Sequence, residues 1–211
     1  MTRVGIIDYG VGNLRSVSNA LKHIGAESFV SADANELLKC DRIIFPGVGA
    51  FGYGMECLEK KRLDRVVKEA ELLQIPLLGI CVGMQLLFES SSEFGDHKGL
   101  GVIPGKVDRI KRQENDSTPL RLPNVGWAGV SITERLEGLA AKFLRGLNIS
   151  SQFYFVHSYC AAPDGPNTIA TSRYANNSFA AVVAKGSVIG TQFHPEKSGL
   201  HGLNLLKNFI E

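Results

Sequence analysis

The sequence predicts a single α/β domain with an open, mostly parallel central sheet flanked by helices, and with mixed or antiparallel strands in the C-terminal half. Before Gly95, short apolar runs alternate with helical patterns, which is typical of a parallel sheet covered on both faces. After Gly95, glycines and prolines become frequent and strand-like runs follow one another directly, which favours antiparallel pairing. No internal repeat or low-complexity tract divides the chain, so we expect one domain over residues 1–211.

The first half of the chain is predicted to alternate strands and helices. Asn13 stands where the cap of the first helix is expected, and Gly25 is a natural stop at its end. Asp33 and Glu36 form a capping-box pattern ahead of a second helix. The predicted strands are Val4–Ile7, Glu27–Val30, Ile43–Phe45 and Leu77–Ile80, and the helices cover Leu14 to Ile24, a short piece after Asp33, about Met55 to Glu71, and a stretch containing Met84, Leu87 and Phe88.

Strands dominate the second half, and an apolar pattern closes the chain as a helix. The polar segment Gln113–Pro119 is predicted to be an exposed loop. The predicted strands are Lys106–Ile110, Val130–Thr133, Phe153–Val156, Thr168–Arg173, Phe179–Ala184 and Val188–Phe193, and the closing helix contains Leu203, Leu206, Phe209 and Ile210.

Composition excludes several classes of protein. The hydrophobic content of 44% and charged content of 21% are typical of a globular chain with a proper core. The net charge of +2, with no Lys/Arg cluster, argues against a nucleic-acid partner, and no apolar stretch is long enough to suggest a membrane partner. The N-terminus turns polar too soon for a signal peptide. The four cysteines lack Cys-x-x-Cys spacing, so we expect reduced thiols in a cytoplasmic protein.

One stretch carries a candidate nucleophile. The run from Pro76 to Gln85 (PLLGICVGMQ) places Cys81 between Gly79 and Gly83 at a strand-to-helix turn. Gly-x-Cys-x-Gly is the cysteine form of the nucleophile elbow, in which glycines let strand and helix approach while the reactive side chain stands at the tip. The helix dipole and free backbone N–H groups favour the thiolate there. The alternative is a buried core cysteine, the usual location of a free thiol.

A second motif supplies a base and its orienting partner. His194-Pro195-Glu196 follows a strand-like run that ends at Phe193. A thiol nucleophile needs a base, and the base needs an acceptor that orients it, so Cys81, His194 and Glu196 can form a triad if the fold joins them. In an extended segment, residues i and i+2 face the same way, which would let Glu196 hold the imidazole. Taken alone, the tripeptide also fits an ordinary strand end with a surface glutamate.

A glycine-rich loop is a candidate for binding an oxyanion. The segment from Gly47 to Gly52 (GVGAFG) matches Gly-x-Gly-x-x-Gly after a strand, so a dinucleotide site is one interpretation. However, the loop follows the third predicted strand, and no strand ending in an acidic residue lies at the required distance. Its backbone N–H groups could instead stabilise the tetrahedral oxyanion that forms when a thiolate attacks a carboxamide. An earlier loop at Gly10 and Gly12 is interpreted as the turn into the helix capped by Asn13.

Taken together, these motifs carry a family resemblance. The cysteine motif and His-Pro-Glu resemble those of the class I, triad-type glutamine amidotransferases, and further blocks resemble the glutaminase subunits of imidazole glycerol phosphate synthase. The similarity runs from near Val4 to Phe209, with Val82 at a position where leucine is expected most often. The blocks are Ile7–Leu14 (IDYGVGNL), Pro46–Phe51 (PGVGAF), Asn124–Trp127 (NVGW), Tyr154–Tyr159 (YFVHSY) and Gln192–Ser198 (QFHPEKS).

The resemblance implies a reaction and a partner. Glutamine would be hydrolysed to glutamate, and the ammonia would pass to a separate cyclase subunit, a (β/α)8 barrel, in a heterodimer. There the ammonia would react with a phosphoribosyl-formimino carboxamide nucleotide, giving imidazole glycerol phosphate and aminoimidazole carboxamide ribotide in histidine biosynthesis. No cofactor and no metal are implied. The alternatives are a glutaminase serving another synthase (anthranilate, GMP, CTP or pyridoxal phosphate) and a non-enzymatic binding module on the same fold.

The resemblance also implies a role for each site residue. Cys81 would be the nucleophile, His194 the proton carrier and Glu196 its orienting partner. Gln85 lies one helical turn after Cys81 on the same face, although a solvent-exposed position is the alternative. The candidates for oxyanion stabilisation and substrate binding are Gly47, Val48, Gly49, Val82, Gln85, Ser158 and Tyr159.

A partner interface is expected around the mouth of the site. Each of its candidates has a structural alternative: Trp127 could belong to the core, Tyr154 and His157 could pack within a strand, and Lys197 could be a solvated end. The candidates for this interface are Asn13, Trp127, Tyr154, His157 and Lys197.

Overall fold

A computed structural model describes residues 2–112, 120–133 and 136–211 of the chain. The segment Gln113–Pro119, predicted to be an exposed loop, lies outside the described residues. The strands are β1 Arg3–Ile7, β2 Glu27–Ser31, β3 Arg42–Gly47, β4 Leu77–Cys81, β5 Phe88–Ser91, β6 His97–Lys98, β7 Ile103–Arg109, β8 Asn124–Gly129, β9 Ser131–Ile132, β10 Gln152–His157, β11 Tyr159–Ala161, β12 Thr168–Tyr174, β13 Asn177–Lys185 and β14 Val188–Thr191. The helices are α1 Leu14–His23, α2 Ala34–Leu37, α3 Phe51–Lys60, α4 Asp64–Leu72, α5 Val82–Leu86, α6 Gly138–Phe143 and α7 Gly199–Ile210.

An eight-stranded mixed sheet forms the centre of the molecule, in the order β2-β1-β3-β4-β14-β13-β12-β9. The pairs from β2 through β1, β3 and β4 to β14 are parallel, and the pairs from β14 through β13 and β12 to β9 are antiparallel. The predicted α/β class, with a parallel first half and a mixed second half, is therefore confirmed. Two smaller sheets lie beside it, β10-β8 and β11-β7-β5-β6.

Strand β4 is central in this sheet, and its position explains its composition. All five of its residues are buried between β3 and β14, which matches the continuous apolar run of a parallel strand covered on both faces. In the β3–β4 register, Gly47 lies opposite Cys81, so both reach the carboxyl edge of the sheet together. Ligand sites of open α/β sheets form at this edge.

The prediction of one long helix from about Met55 to Glu71 is wrong, because the chain forms two helices there. Helix α3 ends at Lys60, and Arg62 has a left-handed φ of 56°. The Arg62 N–H bonds the Glu59 carbonyl at 2.8 Å and the Leu63 N–H bonds the Leu58 carbonyl at 3.0 Å. This is the Schellman pattern that ends a helix, normally marked by glycine, so an arginine in its place concealed the break.

The structure also differs from two other elements predicted from the sequence. Phe88 does not line a helix, because α5 ends at Leu86 and Phe88 begins strand β5, paired with Ile103 of β7. The strand predicted at Val130–Thr133 is shorter in the structure, where only Ser131–Ile132 forms β9, and the separate strand β8 before it was not predicted. Glycines within β8 hid its strand character, although the strand pairs along its whole length with β10.

The two predicted helix caps behave differently. Asp33 accepts hydrogen bonds from the backbone N–H groups of Asn35 at 2.7 Å and Glu36 at 3.2 Å, as a capping side chain does. Asn13 occupies the cap position of α1, but its side chain makes no capping hydrogen bond there. The predicted capping role of the Asn13 side chain is therefore wrong.

None of the helices among the described residues is long and apolar enough to cross a membrane.

Candidate active site

Cys81 sits at the predicted elbow in a strained backbone conformation. Its φ of 55° and ψ of −110° lie at the junction of β4 and α5, in a region that a non-glycine residue adopts only when the surrounding structure enforces it. The glycines enforce it by permitting close packing: a Cβ added to Gly83 would lie 1.9 Å from the Phe45 carbonyl oxygen, and one on Gly79 would lie 3.0 Å from the Gly83 carbonyl oxygen. The Cys81 side chain is buried but lines a cavity.

His194 and Glu196 form the second part of the site. His194 Nδ1 lies 2.9 Å from Glu196 Oε1, and both side chains are almost completely buried. The predicted reason for their proximity is wrong, because Pro195–Lys197 is a 3₁₀ turn rather than an extended strand. The turn is held by the Ser198 hydroxyl, which donates to the His194 carbonyl at 2.6 Å.

The surroundings of His194 favour its protonated form. Burial alone lowers the pKa of His194, but interactions with Cys81 and Glu196 outweigh burial and raise it above the ordinary value of 6.5. His194 Nε2 has no hydrogen-bond partner among the described residues. Cys81 therefore raises the pKa of His194 electrostatically, across the cavity that both residues line. Nε2 therefore remains free for a reacting group, while Nδ1 is engaged by Glu196.

A cavity of about 170 Å³ joins these residues. It includes six of the seven predicted oxyanion and substrate-binding residues, and the nucleophile and base candidates both reach it. A more open depression of about 660 Å³ adjoins it at Glu93 but contains neither Cys81 nor His194, so we place the chemistry in the smaller cavity. The smaller cavity is lined by Val48, Gly49, Cys81, Val82, Gln85, Glu93, Val156, His157, Ser158, Tyr159 and His194.

Gly47 differs from the other loop candidates because it does not line the cavity. A Cβ at Gly47 would lie 2.5 Å from the Gly83 backbone nitrogen and 2.6 Å from the Tyr9 hydroxyl oxygen, so it is in close contact with the elbow. Gly49 has a φ of +93°, which glycine adopts without strain and other residues rarely adopt. The loop thus presents Val48 and Gly49 to the cavity, while Gly47 allows the loop to approach the elbow.

Gln85 is buried, so the solvent-exposed alternative for it is wrong. Its Nε2 donates to the Tyr159 carbonyl at 3.0 Å and lies 3.1 Å from Gln192 Oε1. These two contacts use both amide hydrogens, and Oε1 of Gln85 keeps its acceptor capacity.

Sequence reasoning missed three residues at or beside the cavity: Glu93, Val156 and Gln192. Glu93 follows a serine run and belongs to no recognised motif, but its carboxylate accepts a 2.6 Å hydrogen bond from the Phe51 N–H and lines the cavity. The Val156 carbonyl and Gln192 Nε2 each lie 3.9 Å from Cys81 Sγ. Of these three, only Gln192 had a signal in the sequence that could have placed it in the site, because it lies two residues before His194 at the end of a buried strand.

His157 was predicted to face a partner, and the structure places it in the interior instead. The Asn124 side-chain amide donates to Nε2 at 3.0 Å, and Nδ1 donates to the Tyr159 carbonyl at 3.0 Å. This arrangement suits the neutral imidazole, because a second proton at Nε2 would meet the Asn124 N–H. The pKa of His157 is lowered to about 4, mainly by burial; the hydrogen bond to the Tyr159 carbonyl opposes this shift, and the charge of His194 adds to it.

The other interface candidates lie at or near the surface. Trp127 is 55% exposed, so the alternative that it belongs to the core is wrong. Its ring lies 6.0 Å from that of Tyr154, and Lys197 Nζ lies 5.8 Å from the Tyr154 ring centroid. The Tyr154 ring is in turn 6.5 Å from that of His194, which connects this aromatic surface with the site. Asn13 is partly exposed at the start of α1.

Within residues 2–112, 120–133 and 136–211, no group of three or more histidine, cysteine, aspartate or glutamate residues could hold a metal ion.

Comparison with solved structures identifies the fold. The crystal structure of a glutamine amidotransferase matches with a TM-score of 0.69 at 20% identity, covering 98% of this chain and 96% of that one. The PurLQS structure from Thermotoga maritima matches with a TM-score of 0.70 at 18% identity, covering 99% and 98% of the respective chains.

Sequence comparison narrows the assignment. The family model of class-I glutamine amidotransferases matches residues 5–211. The imidazole glycerol phosphate synthase subunit HisH of Bacillus cereus is 46% identical, over 98% of this chain and 93% of its own length. The HisH subunit of Chlorobaculum tepidum is 42% identical, over 99% of each chain. The chain therefore belongs to the class-I glutamine amidotransferases and, within them, to the family of imidazole glycerol phosphate synthase subunits named HisH.

Proposed function

We propose that this protein hydrolyses glutamine with a Cys81-His194-Glu196 triad and delivers the ammonia to a separate cyclase subunit. The observation that carries this proposal is the meeting of Cys81 and the buried His194–Glu196 pair at one cavity, although they lie far apart in sequence. A non-enzymatic module on this fold would have no need to keep a buried acid–base pair beside a strained cysteine, since both features cost stability.

The cavity offers complementary groups for the amino-acid end of glutamine. The Glu93 carboxylate lines it and can pair with the substrate's ammonium group. Gln85 Oε1 is a second acceptor, because both of its amide hydrogens are engaged elsewhere. Ser158 and Tyr159 line the same cavity and can contribute backbone groups. Glutamine can therefore be held with its carboxamide toward Cys81.

The first chemical step is acyl transfer to the thiol. The Cys81 thiolate attacks the carboxamide carbon, and the carbonyl oxygen becomes an oxyanion. We assign its stabilisation to the backbone N–H groups of Val82 at the elbow and of Val48 and Gly49 in the glycine loop. His194 then gives a proton to the leaving nitrogen, so ammonia departs and a glutamyl thioester remains.

The second step regenerates the thiol. His194 takes a proton from water, and the resulting hydroxide attacks the thioester carbon and releases glutamate and the Cys81 thiolate. Glu196 bonds Nδ1 throughout, which fixes the ring orientation and stabilises the imidazolium. Each cycle consumes one glutamine and one water and produces one glutamate and one ammonia.

The partner is a (β/α)8-barrel cyclase in a heterodimer, where ammonia joins the phosphoribosyl-formimino carboxamide nucleotide in histidine biosynthesis. The aromatic surface of the exposed Trp127 and the half-buried Tyr154, together with Lys197 and Asn13, is the docking surface that we assign to the cyclase. A docked partner also prevents loss of ammonia to solvent. Reduced cysteines suit a cytoplasmic location, which we propose for the complex.

Glutamate release by the purified protein, alone and with a cyclase of this kind, tests the proposal. We expect release to rise when the cyclase and its nucleotide ligand are added, with one imidazole product formed for each glutamate. If the cyclase binds but neither glutamate release nor product formation responds to it, the protein serves another synthase and the assigned partner is wrong.

A further inference from the structure

Gln192 is completely buried beside the nucleophile and has no part in the steps described above. Its backbone N–H bonds the Ala181 carbonyl at 2.9 Å, which extends the β13–β14 pairing and fixes the residue two positions before His194. Its side-chain Oε1 lies 3.1 Å from Gln85 Nε2, and its Nε2 lies 3.9 Å from Cys81 Sγ. Gln192 thus connects the nucleophile to a proposed substrate ligand.

The hydrogen bonds determine which way the Gln192 amide faces. Gln85 donates to the Tyr159 carbonyl with one amide hydrogen and to Gln192 Oε1 with the other. Because the oxygen of Gln192 is engaged by a donor, its NH₂ group faces the sulfur. An N–H group directed at sulfur stabilises the thiolate, since hydrogen bonds to an ionised acceptor are stronger than neutral ones.

The same network continues away from the nucleophile. The Tyr159 carbonyl also accepts from His157 Nδ1, and His157 Nε2 accepts from the Asn124 amide. Asn124 begins strand β8, which also carries the exposed Trp127. A continuous buried network therefore runs from β8 to Cys81, and Gln192 is its last member before the sulfur.

We propose that Gln192 is a positioning residue that stabilises the Cys81 thiolate with its amide N–H and holds Gln85 with its amide oxygen. The inference rests on the proposed roles of Cys81 and Gln85 in glutamine hydrolysis. It differs from a purely structural role because it requires the side chain at position 192 to influence the ionisation and reactivity of Cys81.

Among the described residues, five titratable groups share the cavity with Cys81 or interact with it electrostatically. Glu93 after β5, His157 in β10, Tyr159 in β11 and His194 after β14 line the cavity, and Tyr9 after β1 interacts with Cys81 through the interior. Only His194 is held close to a carboxylate partner in the interior. A charge introduced at position 192 would join this set on the side where the sulfur now faces an uncharged donor.

The test is the rate at which iodoacetamide alkylates Cys81, followed from pH 5 to pH 10 by peptide mapping. Gln192→Glu retains an oxygen for Gln85 and places a carboxylate beside the sulfur, whereas Gln192→Met removes both polar contacts with little change in length. Gln74→Glu makes the same charge change at an exposed position and is the matched control. Thermal unfolding of each variant shows whether it is folded at the assay temperature.

We expect Gln192→Glu to move the midpoint of the alkylation profile up by about one pH unit, which is about a tenfold slower rate at neutral pH. Gln192→Met should move it in the same direction by less, because no like charge is added. In complexes with the cyclase, Gln192→Met should also raise the KM for glutamine, since Gln85 is no longer held. Gln74→Glu should leave both quantities unchanged.

A wild-type alkylation profile in folded Gln192→Glu or folded Gln192→Met would overturn the proposal, even if the variant were less stable. If Gln192→Glu does not fold, Gln192→Met decides the question by the same profile. Alkylation requires no glutamine, so its outcome is independent of the proposed reaction. A protein that never releases glutamate would refute the proposed function while leaving the Gln192–Cys81 relationship measurable.

Discussion

Glu196 Oε1 lies 2.9 Å from His194 Nδ1, and both side chains are at most 2% exposed. A buried pair of this kind is stable only when each charge finds its partner, since an unpaired charge in the interior is strongly destabilising. The pair holds the imidazole with Nε2 directed away from Glu196, without a partner among the described residues. Nε2 is therefore the atom of His194 that can exchange a proton during turnover.

Replacing the orienting carboxylate tests this arrangement. In Glu196→Gln the amide can still hold the ring but cannot stabilise its cation, so kcat for glutamine should fall by about 10²-fold or more. The His194 pKa should fall toward its ordinary value, which NMR titration of the ring can follow. Ammonia-dependent product formation by the complex is the control and should be unchanged. Wild-type kcat in the variant would show that Glu196 is structural and that the site works as a dyad.

The buried imidazole of His157 should make the free energy of unfolding sensitive to acid. Its folded-state pKa of about 4 lies below its ordinary value of 6.5, so the unfolded chain binds the proton more readily. Stability should therefore fall as pH drops from 6.5 toward 4, and this group should account for about 2 kcal/mol between pH 7 and pH 5. His194 acts in another window: its raised pKa gives stability that is fully present below 6.5 and is lost at alkaline pH.

The measurement is urea unfolding of His157→Gln and the wild-type protein at pH 7 and pH 5. Glutamine can accept from Asn124 and donate to Tyr159 as the neutral imidazole does, but it does not titrate. The variant should lose less stability than the wild type on acidification, by the amount given above. An equal loss in both proteins would mean that His157 does not supply this acid sensitivity.

The elbow should not tolerate a methyl group at Gly83. Its Cβ would lie 1.9 Å from the Phe45 carbonyl oxygen, which belongs to the neighbouring strand and cannot move without breaking the sheet. We expect Gly83→Ala to lower the free energy of unfolding by about 3 kcal/mol or more. Gly129→Ala is the control, because its nearest atom would be the flexible end of Gln152 at 3.4 Å. Similar urea midpoints for the two variants would contradict the packing described for the elbow.

Trp127 should be a binding residue whose removal leaves the fold intact. With 55% of its surface exposed, Trp127→Ala should barely change the unfolding free energy. If the aromatic surface docks the cyclase, the loss of a tryptophan anchor should weaken binding by about 2 kcal/mol, or about 30-fold in Kd. Calorimetric titration with the cyclase measures this, with the fully exposed Ile149→Ala as the control. Unchanged Kd and unchanged stimulation of glutaminase activity would remove Trp127 from the interface.

Local signals in the sequence predicted the parts of the protein that depend on neighbouring residues. The apolar run of β4, the glycines around Cys81 and the cap at Asp33 act within a few residues, so their patterns were informative. The break at Arg62 was hidden because a Schellman ending usually carries glycine, and here it carries arginine. Strand β5 was missed because its pairing with β7, which begins at Ile103, leaves no local pattern in the sequence.

In the candidate site, too, local patterns were predictive and contacts between distant residues were not. The proximity of His194 and Glu196 was predicted from their spacing, but through an extended strand rather than the observed 3₁₀ turn. Glu93 and Gln192 reach Cys81 and its cavity only through the tertiary fold. No local pattern marks Glu93, and the local signal for Gln192 is its place two residues before His194. His157 was predicted to face a partner, but its side chain is buried and bonds Asn124 of the paired strand β8.

The most direct test of the account compares glutamine-dependent and ammonia-dependent synthesis by the complex of Cys81→Ala with the cyclase. Without the thiol no thioester can form, whereas the cyclase can take ammonia from solution. We expect imidazole product from glutamine to fall to background, while the product formed from added ammonium salt stays at the wild-type rate. Glutamine-dependent product at the wild-type rate in this variant would show that Cys81 is not the nucleophile and would contradict the central claim.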